Sequence, residues 1–161
     1  MKTPESDKTH DTTHRLDPMS ALLSVQPQLA EPLRYLEVKD GVLQIGGKSL
    51  QQISVLIGQS RFYAYDRQAI VKKINALRAK MPAQLKLHYA IKANPFSPIV
   101  QQVAHLVDGF DVASQGEMLL ALQSGMPAAH ISFAGPGKSD HELAAALIAG
   151  CCIHVESVGE L

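Results

Sequence analysis

The chain has 161 residues, 46% of them hydrophobic and 19% charged, which suits one compact domain around an apolar core. Fifteen basic and fifteen acidic side chains cancel, so no broad positive field attracts phosphate backbones or anionic lipid, and nucleic acid is not an expected partner. The longest nearly unbroken apolar run, 143–155, is interrupted by Gly150 and His154 and is shorter than the ~20 residues of a membrane span, so a soluble protein without membrane contact is expected.

The opening stretch Met1 to Ser20 is polar and has no apolar core of the kind a secretion signal needs. Residues 1–30 are expected to form a disordered tail. His10 and His14 within it have the spacing of a zinc half-site, but no Cys or acidic pair completes the set, so no metal site is expected. From Tyr35 to Ile57, short apolar runs alternate with the pairs Asp40-Gly41 and Gly46-Gly47, which predicts a small hairpin followed by a connecting segment. Residues 31–65 are thus read as N-terminal strands and connector. Phe62 to Tyr65 is the next strand candidate. Asp66 caps a helix over 67–80 whose apolar positions Ile70, Ile74 and Leu77 share a face, and Pro82 stops it.

From Leu85 onward one pattern repeats: a short apolar strand, a polar or glycine-containing turn, a helix cap, and an amphipathic helix. The first unit is a strand over Leu85 to Ile91, with Ser97 as cap, Pro98 at the first helical position, and a helix through Val107. The second has a strand over Phe110 to Ala113, then Ser114 and Glu117 in a capping box, with a close near Gly125. The third has a strand over Ile131 to Ala134, then Ser139 and Glu142 in the same box, a helix through Leu143, Ala146 and Leu147, and Gly150 as its stop. A fourth strand, Cys152 to Val155, leads to Ser157 and Glu160, the same box again. The adjacent cysteines Cys151 and Cys152 suit neither a disulfide between distant segments nor a metal half-site, so buried reduced thiols and a cytoplasmic setting are expected.

Alternating strands and helices imply parallel pairing and an α/β fold. The short units point to a β/α barrel, of which residues 66–161 supply four units, whereas a full barrel takes roughly 250 residues. We therefore expect half a barrel, truncated after the fourth barrel strand, in a chain that is a fragment of a longer protein.

Reactive groups of β/α barrels sit at the C-terminal ends of strands. Here these are Lys92 after the first barrel strand, Asp111 with Ser114 at the second, Gly135 to Lys138 after the third, and Glu156 at the fourth, all expected to face one pocket. Lys92 ends an apolar run, and a partly desolvated lysine has a lowered pKa that frees its amine to attack an aldehyde. The plain alternative is a rim lysine whose stem lies along apolar surface. For Glu117 the alternative is a simple helix cap. Gly135-Pro136-Gly137-Lys138-Ser139 fails as a phosphate loop because Ser132 stands where that motif needs glycine, though a tight turn presenting amides to the pocket remains expected.

Tyr89-Ala90-Ile91-Lys92-Ala93-Asn94-Pro95 resembles the cofactor-lysine motif of the ornithine/diaminopimelate/arginine decarboxylase family, barrel enzymes that use pyridoxal phosphate (PLP). Compatible matches follow at Gly109 to Ser114 with Glu117, at Ile131 to Asp140, and at His154 to Ser157, so the resemblance spans about residues 60–161. It is most similar to the diaminopimelate-decarboxylase-like branch associated with exosortase A and exopolysaccharide gene clusters. The resemblance implies an alanine-racemase-like PLP-binding (β/α)8 barrel, amino-acid decarboxylation, and a homodimer at full length. By the same resemblance Lys92 carries the cofactor as a Schiff base, Asp111 and Glu117 tune its protonation, and Ala90 and Asp111 line the cofactor. The phosphate site, the acid facing the ring nitrogen, and an interface cysteine and tyrosine lie further along the family's chain. Two other readings stay open: an alanine-racemase-like enzyme, which matches the second and third motifs less well, and a non-catalytic truncated relative.

Overall fold

A two-residue reversal between antiparallel strands needs positive φ at both central positions, which glycine and, less often, aspartate tolerate. Asp40-Gly41 and Gly46-Gly47 meet that need with φ of 51°, 75°, 58° and 74°. In the computed structural model, which describes residues 35–161, these turns join β1 (Glu37–Lys39), β2 (Val42–Ile45) and β3 (Lys48–Ser49) into an antiparallel sheet of order β1-β2-β3. The expected disordered tail and its His10 and His14 lie outside the described residues. The expected connecting segment is instead helix α1 (Leu50–Ile57). It starts on a reciprocal box: Gln52 N–H donates to Ser49 Oγ at 3.2 Å, and Ser49 N–H donates to Gln52 Oε1 at 2.9 Å.

Phe62 to Tyr65 is not a strand. Phe62 and Ala64 are half-buried and Tyr63 and Tyr65 exposed, so the alternation is real, but the segment joins neither sheet and a strand exists only by its ladder. Asp66 behaves as expected. Its Oδ1 accepts from Gln68 N–H at 2.7 Å and Ala69 N–H at 3.2 Å, opening α2 (Arg67–Arg78), while Oδ2 accepts from Gly46 N–H at 2.9 Å and ties the antiparallel sheet to this helix. The Gly46 bond is the main reason that the Asp66 carboxyl is held below its ordinary range. Ile70 and Ile74 pack on the core, but Leu77 is exposed.

The repeating pattern becomes β4 (His88–Ala90), α3 (Ser97–Ala104), β5 (Gly109–Val112), α4 (Gln115–Gln123), β6 (Ile131–Phe133), α5 (Asp140–Ala149) and β7 (Cys152–Ile153). The strands form one parallel sheet of order β4-β5-β6-β7, the four-unit α/β arrangement the pattern predicts. Several bounds are tighter than expected. Strand β4 ends at Ala90 because Ile91–Ala93 turn into 3-10 helix, and α3 is capped by Phe96, with Ser97 and Pro98 inside its first turn.

Successive strand residues face opposite sides, and the register therefore sorts them into two faces. Phe110, Val112, Ile131 and Phe133 are fully buried on one face, against Val100 and Val103 of α3, Met118 and Ala121 of α4, and Ala146 of α5. Each large side chain so buried contributes about 1.5–3 kcal/mol. The other face carries the row Ala90, Asp111, Ser132 and Cys152. On α5 the buried residue is Ala146, whereas Leu147, expected inside, is exposed. Cys151 is part-buried against the core, and that burial pushes its thiol up; Cys152, expected buried, is exposed on the opposite face.

Candidate functional site

The C-terminal ends of the four parallel strands bring the expected polar groups to one edge of the sheet. Lys92 lies in the 3-10 turn directly after β4. Burial alternates through it: Ile91 is fully buried and Lys92 is exposed. The expected desolvation of this lysine is therefore not found, because the apolar residues before it spend their contacts on the helix-packed face. Among the described residues its ammonium has no hydrogen-bond or ion-pair partner. The turn itself is well held. Tyr89 Oη donates to Asn94 O at 3.2 Å, Phe96 N–H donates to Asn94 Oδ1 at 3.0 Å, and Phe96 stacks on Tyr65 with ring centroids 6.2 Å apart. Burial raises the Tyr89 hydroxyl above its ordinary pKa, so it stays a donor.

Asp111 follows on the neighbouring strand, half-buried, paired in register with Ala90. Glu117 is placed differently. Ser114 Oγ accepts from Glu117 N–H at 3.3 Å as a cap should, but the Glu117 carboxylate accepts from Ala113 N–H at 2.8 Å, one residue beyond the reciprocal box partner. It fastens the end of β5 to the start of α4. Lys92, Asp111 and Glu117 thus stand at adjoining strand ends with no direct side-chain contact among them.

The loop after β6 is clamped from the segment that follows β7. Gly135 N–H donates to Glu156 Oε1 at 2.5 Å, Lys138 Nζ donates to Gly135 O, and Lys138 Nζ lies 3.2 Å from Glu160 Oε2. The Lys138 and Glu160 side chains are 0% and 6% exposed, which makes this a buried pair rather than a surface one. Glu160 also accepts from Glu156 N–H at 2.8 Å, and that bond, with Lys138 beside it, holds its carboxyl below the ordinary range. Of the amides in this turn, that of Gly135 is committed to the clamp.

Sequence reading missed two further groups. Ser132 lies in the same row as Asp111, and its Oγ is 3.0 Å from His154 Nε2. Strict alternation along β6, with Ile131 and Phe133 buried and Ser132 not, is the signal that could have found it. Among the described residues no cluster of three or more His, Cys, Asp or Glu side chains is arranged to hold a metal ion, and no helix is long and apolar enough to cross a membrane.

Residues 67–161 match the pyridoxal-binding domain of the pyridoxal-dependent decarboxylases. The chain is 41% identical over 100 residues to 2-[(L-alanin-3-ylcarbamoyl)methyl]-2-hydroxybutanedioate decarboxylase of Staphylococcus aureus, covering 62% of this chain and 25% of that protein. It is 39% identical over 110 residues to diaminopimelate decarboxylase of Aquifex aeolicus, covering 68% and 26%. Among solved structures, diaminopimelate decarboxylase from M. jannaschi superimposes with a TM-score of 0.68 at 25% identity, covering 80% of this chain and 31% of that one. The chain therefore spans about a quarter of the length of these curated relatives.

Proposed function

Because this chain belongs to the pyridoxal-dependent decarboxylases, with residues 67–161 as its pyridoxal-binding domain, we propose that it is the cofactor-bearing part of an amino-acid decarboxylase and that Lys92 holds PLP. The single observation that carries this reading is the placement of Lys92: an exposed amine without a described partner, on a braced turn at a strand end, one strand from the Asp111 carboxylate.

The residues present fit the group. The strand ends beside Lys92 carry Ala90 and Ala134, half-buried, and Ala113, exposed, whose methyl side chains are small enough to leave room for a planar ring. Bound PLP supplies the electron sink for the carbanion left when a carboxylate departs. Lys92 Nζ would hold the cofactor through its aldehyde. Asp111 stands on the neighbouring strand, in register with Ala90 two residues before Lys92, and a carboxylate there would favour a cationic nitrogen at Lys92 with the cofactor bound. Glu117 is a positioning residue, since its carboxylate is spent on the Ala113 N–H. Lys138 is excluded from the aldehyde by its burial against Glu160.

Two relatives named for different substrates, a hydroxybutanedioate derivative in one and diaminopimelate in the other, match 62% and 68% of this chain. That supports a stretch concerned with the shared cofactor chemistry. Diaminopimelate-like amino acids remain the proposed substrates, and a homodimer the proposed full-length assembly, both from family resemblance. We divide the chain accordingly into 31–65, strands and connector, and 66–161, partial barrel.

The test is to incubate the chain with PLP, reduce with borohydride, and map the labelled peptide. Label is expected on the peptide containing Lys92 and should be lost in Lys92→Ala. Equal labelling of Lys86 or Lys138, unchanged by that substitution, would overturn the assignment.

A further inference from the structure

Beyond the row Ala90, Asp111, Ser132 and Cys152 the ladder continues to Val112, Phe133 and Ile153. Ala134 N–H donates to Val112 O at 2.9 Å, and His154 N–H donates to Phe133 O at 2.9 Å. These bonds close the pairs Val112–Phe133 and Phe133–Ile153, and continuing that register by one residue sets Ala113, Ala134 and His154 side by side in the next row toward the strand ends. Residues two apart share a face, so this row lies on the same side as Asp111 and Ser132. Lys92 follows Ala90 by two residues at one end of the sheet, and His154 stands at the other. Three strand spacings of about 4.8 Å separate them, roughly 14 Å, with only two alanines between. A lysine stem, a pyridine-sized ring and an imidazole together span that distance.

His154 is exposed but not unsupported. Its Nε2 is 3.0 Å from Ser132 Oγ, which anchors the ring from the row below, while Nδ1 has no partner among the described residues. Of the other charged groups near the strand ends, Glu156 accepts from Gly135 N–H, Lys138 is paired with Glu160, and Asp111 stands one row lower, beside Ala90 and Ser132. We propose that His154, held by Ser132, is a further ligand-binding residue of this site, which receives an oxyanion of the molecule bound at Lys92. The shared chemistry is a hydrogen bond from imidazole to an anionic oxygen, supplied either by the cofactor phosphate or by the amino-acid carboxylate. The inference rests on the proposed attachment of PLP to Lys92.

The experiment follows the His154 ring resonance by NMR, assigned by its loss in His154→Gln, while the full chain is titrated with PLP, with pyridoxal, and with pyridoxal plus meso-diaminopimelate. Borohydride labelling of Lys92 is measured in parallel. A hydrogen bond to a charged group is worth at least about tenfold in binding. His154→Gln should therefore weaken the ligand that carries the anion by about tenfold while Lys92 can still be labelled at saturation, and Ser132→Ala should give a smaller loss. A His154 shift with PLP but not pyridoxal identifies the phosphate as the partner. A shift with pyridoxal only after diaminopimelate is added identifies the carboxylate. If Lys92 is labelled while His154 neither shifts nor affects binding in any arm, the proposal is overturned. If Lys92 is not labelled even in the unsubstituted chain, the cofactor reading itself fails first.

Discussion

Asp108 shows how a single side chain can govern stability without belonging to any motif. It precedes β5, and its Oδ2 accepts from Leu87 N–H at 2.6 Å and lies 3.0 Å from Arg78 Nη2. The Leu87 bond foremost, and then Arg78, hold its carboxyl below the ordinary range. Since the folded value is the lower one, the stability this group adds is fully present above about pH 4, the unfolded value, and is lost as pH falls through the depressed folded value. Asp108→Asn should thus lower the urea midpoint at pH 7, and its deficit against the natural chain should shrink by pH 3. A deficit equal at both pH values would show that packing, not charge, is responsible. Nothing local in the sequence marks Asp108, because its partners lie 21 and 30 residues away. Lys92 and Asp111 were legible for the opposite reason: their positions follow from strand ends and a contiguous motif. Ser132 with His154 depends on the cross-strand register, which a linear reading does not supply.

At the level of elements, the motif Ser-x-x-Glu occurs three times and does three different things. Ser139 and Glu142 form the full reciprocal box, with Glu142 N–H donating to Ser139 Oγ and Ser139 N–H donating to Glu142 Oε2; Glu142 Oε1 additionally accepts from Gln115 N–H and joins the starts of α4 and α5. Ser114 caps, but Glu117 reaches past it. Ser157 makes no side-chain cap bond, and only a turn of 3-10 helix follows. The sequence therefore announced where helices begin, whereas the partner of each glutamate depended on which backbone amide the adjoining strand left open. Ser139→Ala should cost about 1 kcal/mol of unfolding free energy, and Ser157→Ala should stay within about 0.5 kcal/mol. Denaturant titration of the two variants distinguishes them, and equal losses would show that the motif alone, not its realised bonds, sets the cost. The same logic explains two differences in the fold. Helix α1 was signalled by Ser49-x-x-Gln52 but hidden by its short length, and Phe62 to Tyr65 alternates like a strand but lacks a ladder. A steric example complements these: a Cβ on the buried Gly109 would meet the carbonyl of His130 and lie 2.6 Å from His88 Cε1. Gly109→Ala should displace the His88 ring and force β5 away from the backbone entering β6, at a cost of about 1–3 kcal/mol, read as a fall in thermal midpoint.

Across the whole set of described residues, β4 pairs only with β5 and β7 only with β6, so the parallel sheet has two open edges. The segments on either side of β7 in the chain carry Leu147, Ile148, Val158 and Leu161, which are 69%, 89%, 87% and 93% exposed. Open parallel edges flanked by exposed apolar side chains favour association between chains. The 161-residue chain on its own is accordingly expected to self-associate at micromolar concentration, and the double substitution Leu147→Lys with Ile148→Lys should shift it toward monomer in sedimentation velocity without lowering its thermal midpoint. The same geometry bears on catalysis. The face that carries Lys92, Asp111 and His154 is walled by one sheet of four strands, and the solved relative with this fold has a longer chain, of which this one covers 31%. A ligand on such a face is fixed at Lys92 but keeps much of its rotational freedom and its contact with water. Orientation of reacting groups contributes as much as ~7–11 kcal/mol in well-ordered sites, so attachment without orientation should give labelling without turnover. The chain alone, supplied with PLP and meso-diaminopimelate, is expected to be reducible by borohydride at Lys92 and yet to release no carbon dioxide above the rate of free PLP. Release within a few-fold of a complete decarboxylase would show that four strands already orient the departing carboxylate, and that the one-walled face described here closes around its ligand by some other means.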